Sequence, residues 1–377
     1  MRGDPNRFII ISKIQGETLM RKLLLSSVAI VALTFIGANA QQAPSSGPYS
    51  VIKTVKVGGD GGWDYVYADA AARRLYIARS GQPPTGRIAV FDLDTLAPVG
   101  EVPGINAHGV ALDPKSNHGF ATSNPVAMWD TKTLAPIKTI EVQGSPDASL
   151  FDPFNERVYI LSHRAPNATV INATDGSIVG TIDLGGAPEQ AATDGQGHIY
   201  IDIEDKDQVA VVDARTMAVT AHYELGGKGG GPGGLALDAK NHILFVACHN
   251  PATMVIMDAL TGKILSTLPI GTGVDATSFN PNTMEAFSSQ GDGTVTVIKE
   301  LSPTNFVVEQ TVQTQAGART STLDTKTNRI FVVTAEYGPP PPAPPAATAP
   351  AAAPGRGRGG RGPMLPGSFT ILEIGTK

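Results

Sequence analysis

The stretch HGVALD, residues 108–113, sets an ionisable ring before an apolar run and closes it on an aspartate followed by proline, Asp113-Pro114. Alone it reads as a short strand running into a turn, because Asp and Pro both favour turn geometry. Its weight lies in recurrence. The same phrase returns as WDYVYAD at 63–69, DASLFD at 147–152, EQAATD at 189–194, GGLALD at 233–238, DATSFN at 275–280 and RTSTLD at 319–324, which makes seven copies. The closing residues Asp69, Asp113, Asp152, Asp194, Asp238, Asn280 and Asp324 stand 44, 39, 42, 44, 42 and 44 residues apart. A repeat of ~40–45 residues that carries only strand signals is the mark of a β-propeller blade. The repeated Asp and Asn side chains are read as turn residues that bond their own backbone.

Each copy unrolls in the same way. A turn rich in Pro, Gly, Asn and Lys leads to a β-prone run such as RLYIARS, RVYILSH, ILFVACHN or RIFVVTAE. A third run follows (RIAVFD, QVAVVD, TMVIMD), then a polar turn and a fourth run such as SIVGTIDL or KILSTLPI. Four strands per unit, a to d from the inside outward, make one blade. The seventh unit ends at SFTILEIG without a fourth strand, and YSVIKTVKVGG at 49–59 supplies one at the other end of the chain. The expected fold is therefore all-β, a single seven-bladed propeller within 41–377, closed by pairing 50–57 with 368–374. Closure hides the sheet edges that an open array would leave to aggregate.

On these motifs the chain resembles the YVTN-repeat β-propellers, the YncE-like family of exported bacterial proteins. LFVACHN and GFATSN stand where that family has a strand ending in Val-Thr-Asn. GSPDASLFDP, GGAPEQAATD and GGGPGGLALD stand where it has a Gly-x-Pro approach to the inner strand. The resemblance covers about 50–337 and 368–375 and implies seven blades with a ligand site at the hub.

The ends and the composition bound the rest. Met20-Arg-Lys, the apolar core at 23–37 and Ala38-Asn39-Ala40 read as a signal peptide at 20–40 cleaved after Ala40. Residues 1–19 read as an over-extended start. The expectation is a periplasmic or secreted monomer with no transmembrane span in the mature chain, since an apolar run of ~15 residues is short for a bilayer. One cysteine, Cys248, excludes an intramolecular disulfide, and no C-x-x-C-H is present, which excludes covalent haem. The net charge of −5 argues against nucleic acid as a partner. Gly229-x-Gly231-x-x-Gly234 leads into a strand rather than a helix, so no nucleotide is expected. The Pro-rich, then Gly/Arg-rich segment 338–367 is a loop inserted in the last blade.

Counting back five residues from each closing Asp or Asn gives Asp64, His108, Asp147, Glu189, Gly233, Asp275 and Arg319. Asp and Glu make up 34 of 377 residues, so four carboxylates among seven positions exceed chance. These residues begin the innermost strands and are expected to ring one mouth of the channel. The ends of the second strands, which return to that mouth, add His163, Glu204, His249 and Glu336. Carboxylate oxygens with imidazole nitrogens suit a divalent cation, so His108, His163, His249, Glu204 and Glu336 are the candidate metal ligands. Asp64, His108, Asp147, Glu189, Asp275 and Arg319 are the candidate ligand-binding residues.

Two functions fit. One is a binding protein whose acidic, His-lined funnel holds a metal ion or small ligand and whose rim docks a cell-envelope protein. The alternative is a metal-assisted or acid–base hydrolase, lactonase-like, with Asp147 or Glu189 as the catalytic base.

Overall fold

Each inner strand ends as its closing residue dictates. At all seven repeats the side-chain oxygen of Asp69, Asp113, Asp152, Asp194, Asp238, Asn280 or Asp324 accepts the backbone N–H two residues on, at 2.7 to 3.3 Å. That local bond turns the chain back on itself and starts the second strand. The computed structural model describes residues 46–81, 85–339 and 362–376. The expectations for 1–19, for the signal peptide and for most of 338–367 lie outside the described residues.

The described strands form seven four-stranded antiparallel sheets. In the first blade the order is Gly62–Asp69, Arg74–Ser80, Arg87–Asp92 and Pro98–Pro103, and the next five repeat it. Every inner strand contacts the next around the ring, and the seventh contacts the first. The second and third strands are buried along almost their whole length, whereas the fourth alternates or is exposed, as in Ala218–Glu224. The apolar residues accordingly gather between blades. One cluster joins Leu75 and Phe91 of blade one to Phe331 and Ile371 of blade seven, and six others fill the remaining junctions. Burial on both faces explains why those runs read as continuous Val, Ile, Leu and Phe.

The ring closes in the seventh blade, whose order is Ser321–Asp324, Arg329–Thr334, Thr370–Thr376 and then Tyr49–Lys56. Tyr49 pairs with Thr376 and Lys56 with Thr370, antiparallel. The glycine-rich turn at 58–62 then carries the chain from this outermost strand to the innermost strand of blade one. Arg79, 1% exposed, fastens that turn. Its guanidinium donates to the carbonyls of Gly58, Gly59, Asp60, Gly61 and Gly62 at 3.0 to 3.4 Å and lies 3.6 Å above the Phe369 ring. Gly61 needs to be glycine, since its φ is +94° and a Cβ would stand 2.3 Å from the Ser80 carbonyl oxygen.

One buried carboxyl away from the hub makes stability depend on pH. Glu300, 4% exposed, has its pKa pushed up to about 7, by burial first and then by the neighbouring Asp238 charge. Asn241 Nδ2 donates to both carboxylates at 2.8 Å. The folded chain holds this proton more tightly than the unfolded chain, so the stability it contributes is lost as pH rises from about 4.5 to 7. Glu300→Gln keeps the acceptor for Asn241 and carries no charge. It is expected to exceed the parent by about 1–3 kcal/mol at pH 8 and to match it at pH 4, read from urea unfolding at the two pH values. Equal differences at both would show that Glu300 titrates normally.

Candidate functional site

The seven ring positions sit where the inner strands are irregular. The pairing with the second strand slips between Trp63 and Val66, Pro146 and Ser149, Pro188 and Ala191, Pro232 and Gly234, and Val274 and Thr277. A bulge of this kind re-aims side chains out of the regular alternation. In blades two and seven the regular strand begins only at Val110 and Ser321, so His108 and Arg319 precede it.

Around blades one to four these residues converge. His108 Nδ1 lies 2.8 Å from Asp64 Oδ2 and 3.6 Å from Asp147 Oδ1. His163, from the end of the second strand of blade three, points its Nδ1 at Glu189 Oε2, 3.6 Å away, and at Asp147 Oδ2, 4.0 Å away. Two sets of donor atoms, Asp64/His108/Asp147 and Asp147/His163/Glu189, each lie within 4.8 Å of one another. Asp64, Asp147 and Glu189 are buried, while His108 is open to the mouth. Glu204 stands on the other side of the His163 ring, its Oε2 3.7 Å from Nε2. Burial raises the Glu204 pKa, His163 opposes the rise, and Asp147 adds to it. Glu204 belongs to neither donor set. A cavity of about 370 Å³ opens beside His108, lined by Asn106, Thr122, Ser123, Asn124 and Ser145 among others.

Blades five to seven differ. Gly233 has no side chain, and a Cβ there would stand 2.7 Å from His249 Nε2, so the imidazole of His249 occupies the space of the missing ring member. Burial, then the positive charge of Arg319, lowers the His249 pKa. Arg319 Nη1 pairs with Asp275 Oδ2 at 3.1 Å. His249 is thus drawn to the mouth without entering a donor set. Glu336, also read from the sequence as a ligand, is not brought to these groups. It pairs with Lys56 Nζ at 2.7 Å, both side chains being about half exposed, and belongs to neither donor set. The chain leaves the sheet after Thr334, and Glu336 is held there by Leu365 N–H donating to its carbonyl at 2.8 Å.

Two residues that the ring count misses close the channel beneath the mouth. The Tyr65 hydroxyl crosses from blade one to blade four and donates to Glu189 Oε1 at 3.0 Å. Gln190 crosses from blade four: its Oε1 accepts from Leu235 N and Thr277 N, and its Nε2 donates to Thr277 O. Asp202, fully buried and with its pKa held well above the usual range by that burial, accepts from Gln190 N. The signal lay one residue past the ring position. That next position reads Tyr65, Gly109, Ala148, Gln190, Gly234, Ala276 and Thr320, so only two side chains are long enough to span a channel.

Cys248 takes no part in this chemistry. It is buried, and burial, with Asp202 and Asp207 adding their charge, pushes its thiol up to about 12.

No protein-family model matches the chain, and no curated protein matches it in sequence. Among solved structures it is similar to a chain described as "Crystal Structure of Mitotic Checkpoint Complex", with a TM-score of 0.65 and 10% identity over 75% of this chain and 88% of that one. A likeness at that identity is one of fold, and the class it defines with the seven sheets is the seven-bladed β-propeller. Among the described residues no helix is long and apolar enough to cross a membrane.

Proposed function

We propose that this chain is a β-propeller binding protein of the exported, YVTN-repeat type, whose channel mouth holds a divalent cation between Asp147, His163 and Glu189. The observation that carries the reading is the position of His163 Nδ1. This nitrogen is shielded from solvent and makes no hydrogen bond among the described residues, yet it faces two carboxylate oxygens at 3.6 and 4.0 Å. Those gaps are too long for hydrogen bonds. They are close to the ~3.0–3.6 Å that separates two ligands when each lies ~2.1 Å from one metal ion. A nitrogen with two carboxylate oxygens suits manganese or zinc better than calcium. The cavity beside His108, whose lining includes Ser145 and Pro146 next to Asp147, is the space a small ligand would take.

The test uses protein purified without a histidine tag and stripped with a chelator. Mn²⁺ or Zn²⁺ is expected to raise the unfolding free energy by about 3 kcal/mol at a concentration 100-fold above Kd. His163→Ala is expected to lose that response while melting within a few degrees of the stripped parent. A parent whose melting is indifferent to both ions would overturn the reading.

A further inference from the structure

We infer that the far end of the channel binds a small organic ammonium ion, with the charged nitrogen on Asp69 and its apolar body against Tyr67. The inference does not depend on the cation site proposed above. The inner strands run from the charged mouth to the turns at their closing residues, so those turns ring the opposite mouth. A cavity of about 470 Å³ opens there on the arc of blades six, seven, one and two. Small-molecule sites commonly enclose ~300–1,000 Å³.

Tyr67 supplies the apolar face. Its place, two residues before the closing Asp or Asn, holds Ala111, Leu150, Ala192, Ala236, Ser278 and Thr322 in the other blades, so blade one alone sets an aromatic ring there. Burial first, then the nearby Asp69 charge, pushes the phenol up to about 12, yet 38% of the residue is exposed. A ring surrounded by protein and still open faces an internal space, and Tyr67 lines this one. Its hydroxyl makes no hydrogen bond among the described residues. Leu112, Phe279 and Leu323 line the same cavity, and Phe279 is fixed by stacking on Phe245 at 5.3 Å.

Asp69 supplies the charge. Its Oδ1 accepts the N–H groups of Ala71 and Ala72 at 3.0 and 2.8 Å, which makes the turn. In three other blades the second oxygen is taken by the side chain three residues on. Ser116 Oγ donates to Asp113 Oδ2 at 2.6 Å, Asn241 Nδ2 to Asp238 Oδ2 at 2.8 Å and Thr327 Oγ1 to Asp324 Oδ2 at 2.5 Å. Blade one has Ala72 at that place, and no group among the described residues donates to Asp69 Oδ2. The neighbouring guanidiniums are engaged elsewhere: Arg73 pairs with Asp94 and Asp324, and Arg74 donates to the carbonyls of Thr131 and Lys132. A partly buried carboxylate with no ion pair of its own, beside aromatic and aliphatic walls, suits an ammonium on an apolar stem. Such a cation gains a charge-assisted hydrogen bond and the electron-rich face of a ring.

Three probes of one shape test this: 2-phenylethylammonium, the neutral 2-phenylethanol and the anion phenylacetate, each titrated calorimetrically into the full chain at neutral pH. The ammonium is expected to bind one per chain with a Kd below ~1 mM, and the alcohol and the acid at least ~10-fold more weakly. Asp69→Asn keeps the Oδ1 acceptor of the turn, as Asn280 does in blade six. It is expected to melt with the parent and to bind the ammonium at least ~10-fold more weakly. Tyr67→Leu is expected to weaken the ammonium as well, and it reports on the site independently should the Asn variant not fold. A parent that does not bind the ammonium, or binds the alcohol as tightly, overturns the inference. An ammonium whose affinity neither variant changes sits elsewhere, as at the charged mouth, and overturns it too.

Discussion

A chain lacking residues 41–60 is expected to lose its single cooperative unfolding transition. The missing segment contains the whole of Tyr49–Lys56, the fourth strand of the seventh blade. Its removal leaves Thr370–Thr376 as an open edge carrying Ile371, Leu372 and Ile374, which are buried in the intact ring. Tyr49 goes as well. Its ring packs edge-on against Phe287 of blade six at 5.4 Å, and its hydroxyl donates to Glu285 at 2.5 Å. Gln310 holds its backbone from both sides, accepting from Tyr49 N at 3.0 Å and donating to Tyr49 O at 2.8 Å. The deletion also takes away three of the five carbonyls that receive Arg79, those of Gly58, Gly59 and Asp60. A guanidinium whose pKa burial already lowers to about 9 is then left enclosed with fewer acceptors. The combined cost exceeds about 5 kcal/mol, a large share of the ~5–15 kcal/mol by which domains are stable. Calorimetry of the two chains checks this. If the shortened chain melts at the temperature of the parent with the same enthalpy, the ring is not closed by this strand.

The closure was legible in the sequence because a strand count came out one short at one end and one over at the other. The blades were legible for a more local reason: an Asp or Asn that bonds the second N–H after it makes the same turn wherever it stands. The ring residues were reachable by the same count, since a fixed offset from that turn is a fixed place on the inner strand. What the count could not give is where a side chain goes after leaving its strand. His249 lies by Gly233 because that glycine leaves a space, and nothing at position 249 alone records the vacancy. Glu336 follows its strand as His163 and Glu204 follow theirs, but the chain beyond Thr334 takes its own path and pairs Glu336 with Lys56. Arg79 also ends a second strand, yet it turns to a cluster of carbonyls that only the folded turn assembles.

Gln190→Ala is expected to cost about 2–4 kcal/mol, the largest effect of any single substitution considered for the hub. Leu235 and Thr277 are 1% and 3% exposed, so their N–H groups cannot turn to bulk water. They lie just past the bulges, on the innermost strands of blades five and six, each of which pairs with a neighbouring strand on one side only. Gln190 Oε1 accepts from both, at 2.9 and 3.1 Å, on the edge where no further strand pairs. Truncation strands both donors, at about 1–3 kcal/mol for each that finds no partner. It also frees Thr277 O, which accepts from Nε2 at 3.1 Å. Gln190→Glu separates this account from simple loss of volume. A carboxylate accepts the two N–H groups but sets a second oxygen against Thr277 O, so the variant should be weak at pH 8. Once protonated, that oxygen donates to Thr277 O in place of the amide, so the gap to the parent should narrow at pH 4. Urea unfolding of the three chains at the two pH values decides the matter. An alanine variant within about 0.5 kcal/mol of the parent would mean that the channel floor is held by Tyr65 and the bulged strands alone. In that case the cup beneath the charged mouth would owe its bottom to packing, and Gln190 would be only a lining residue.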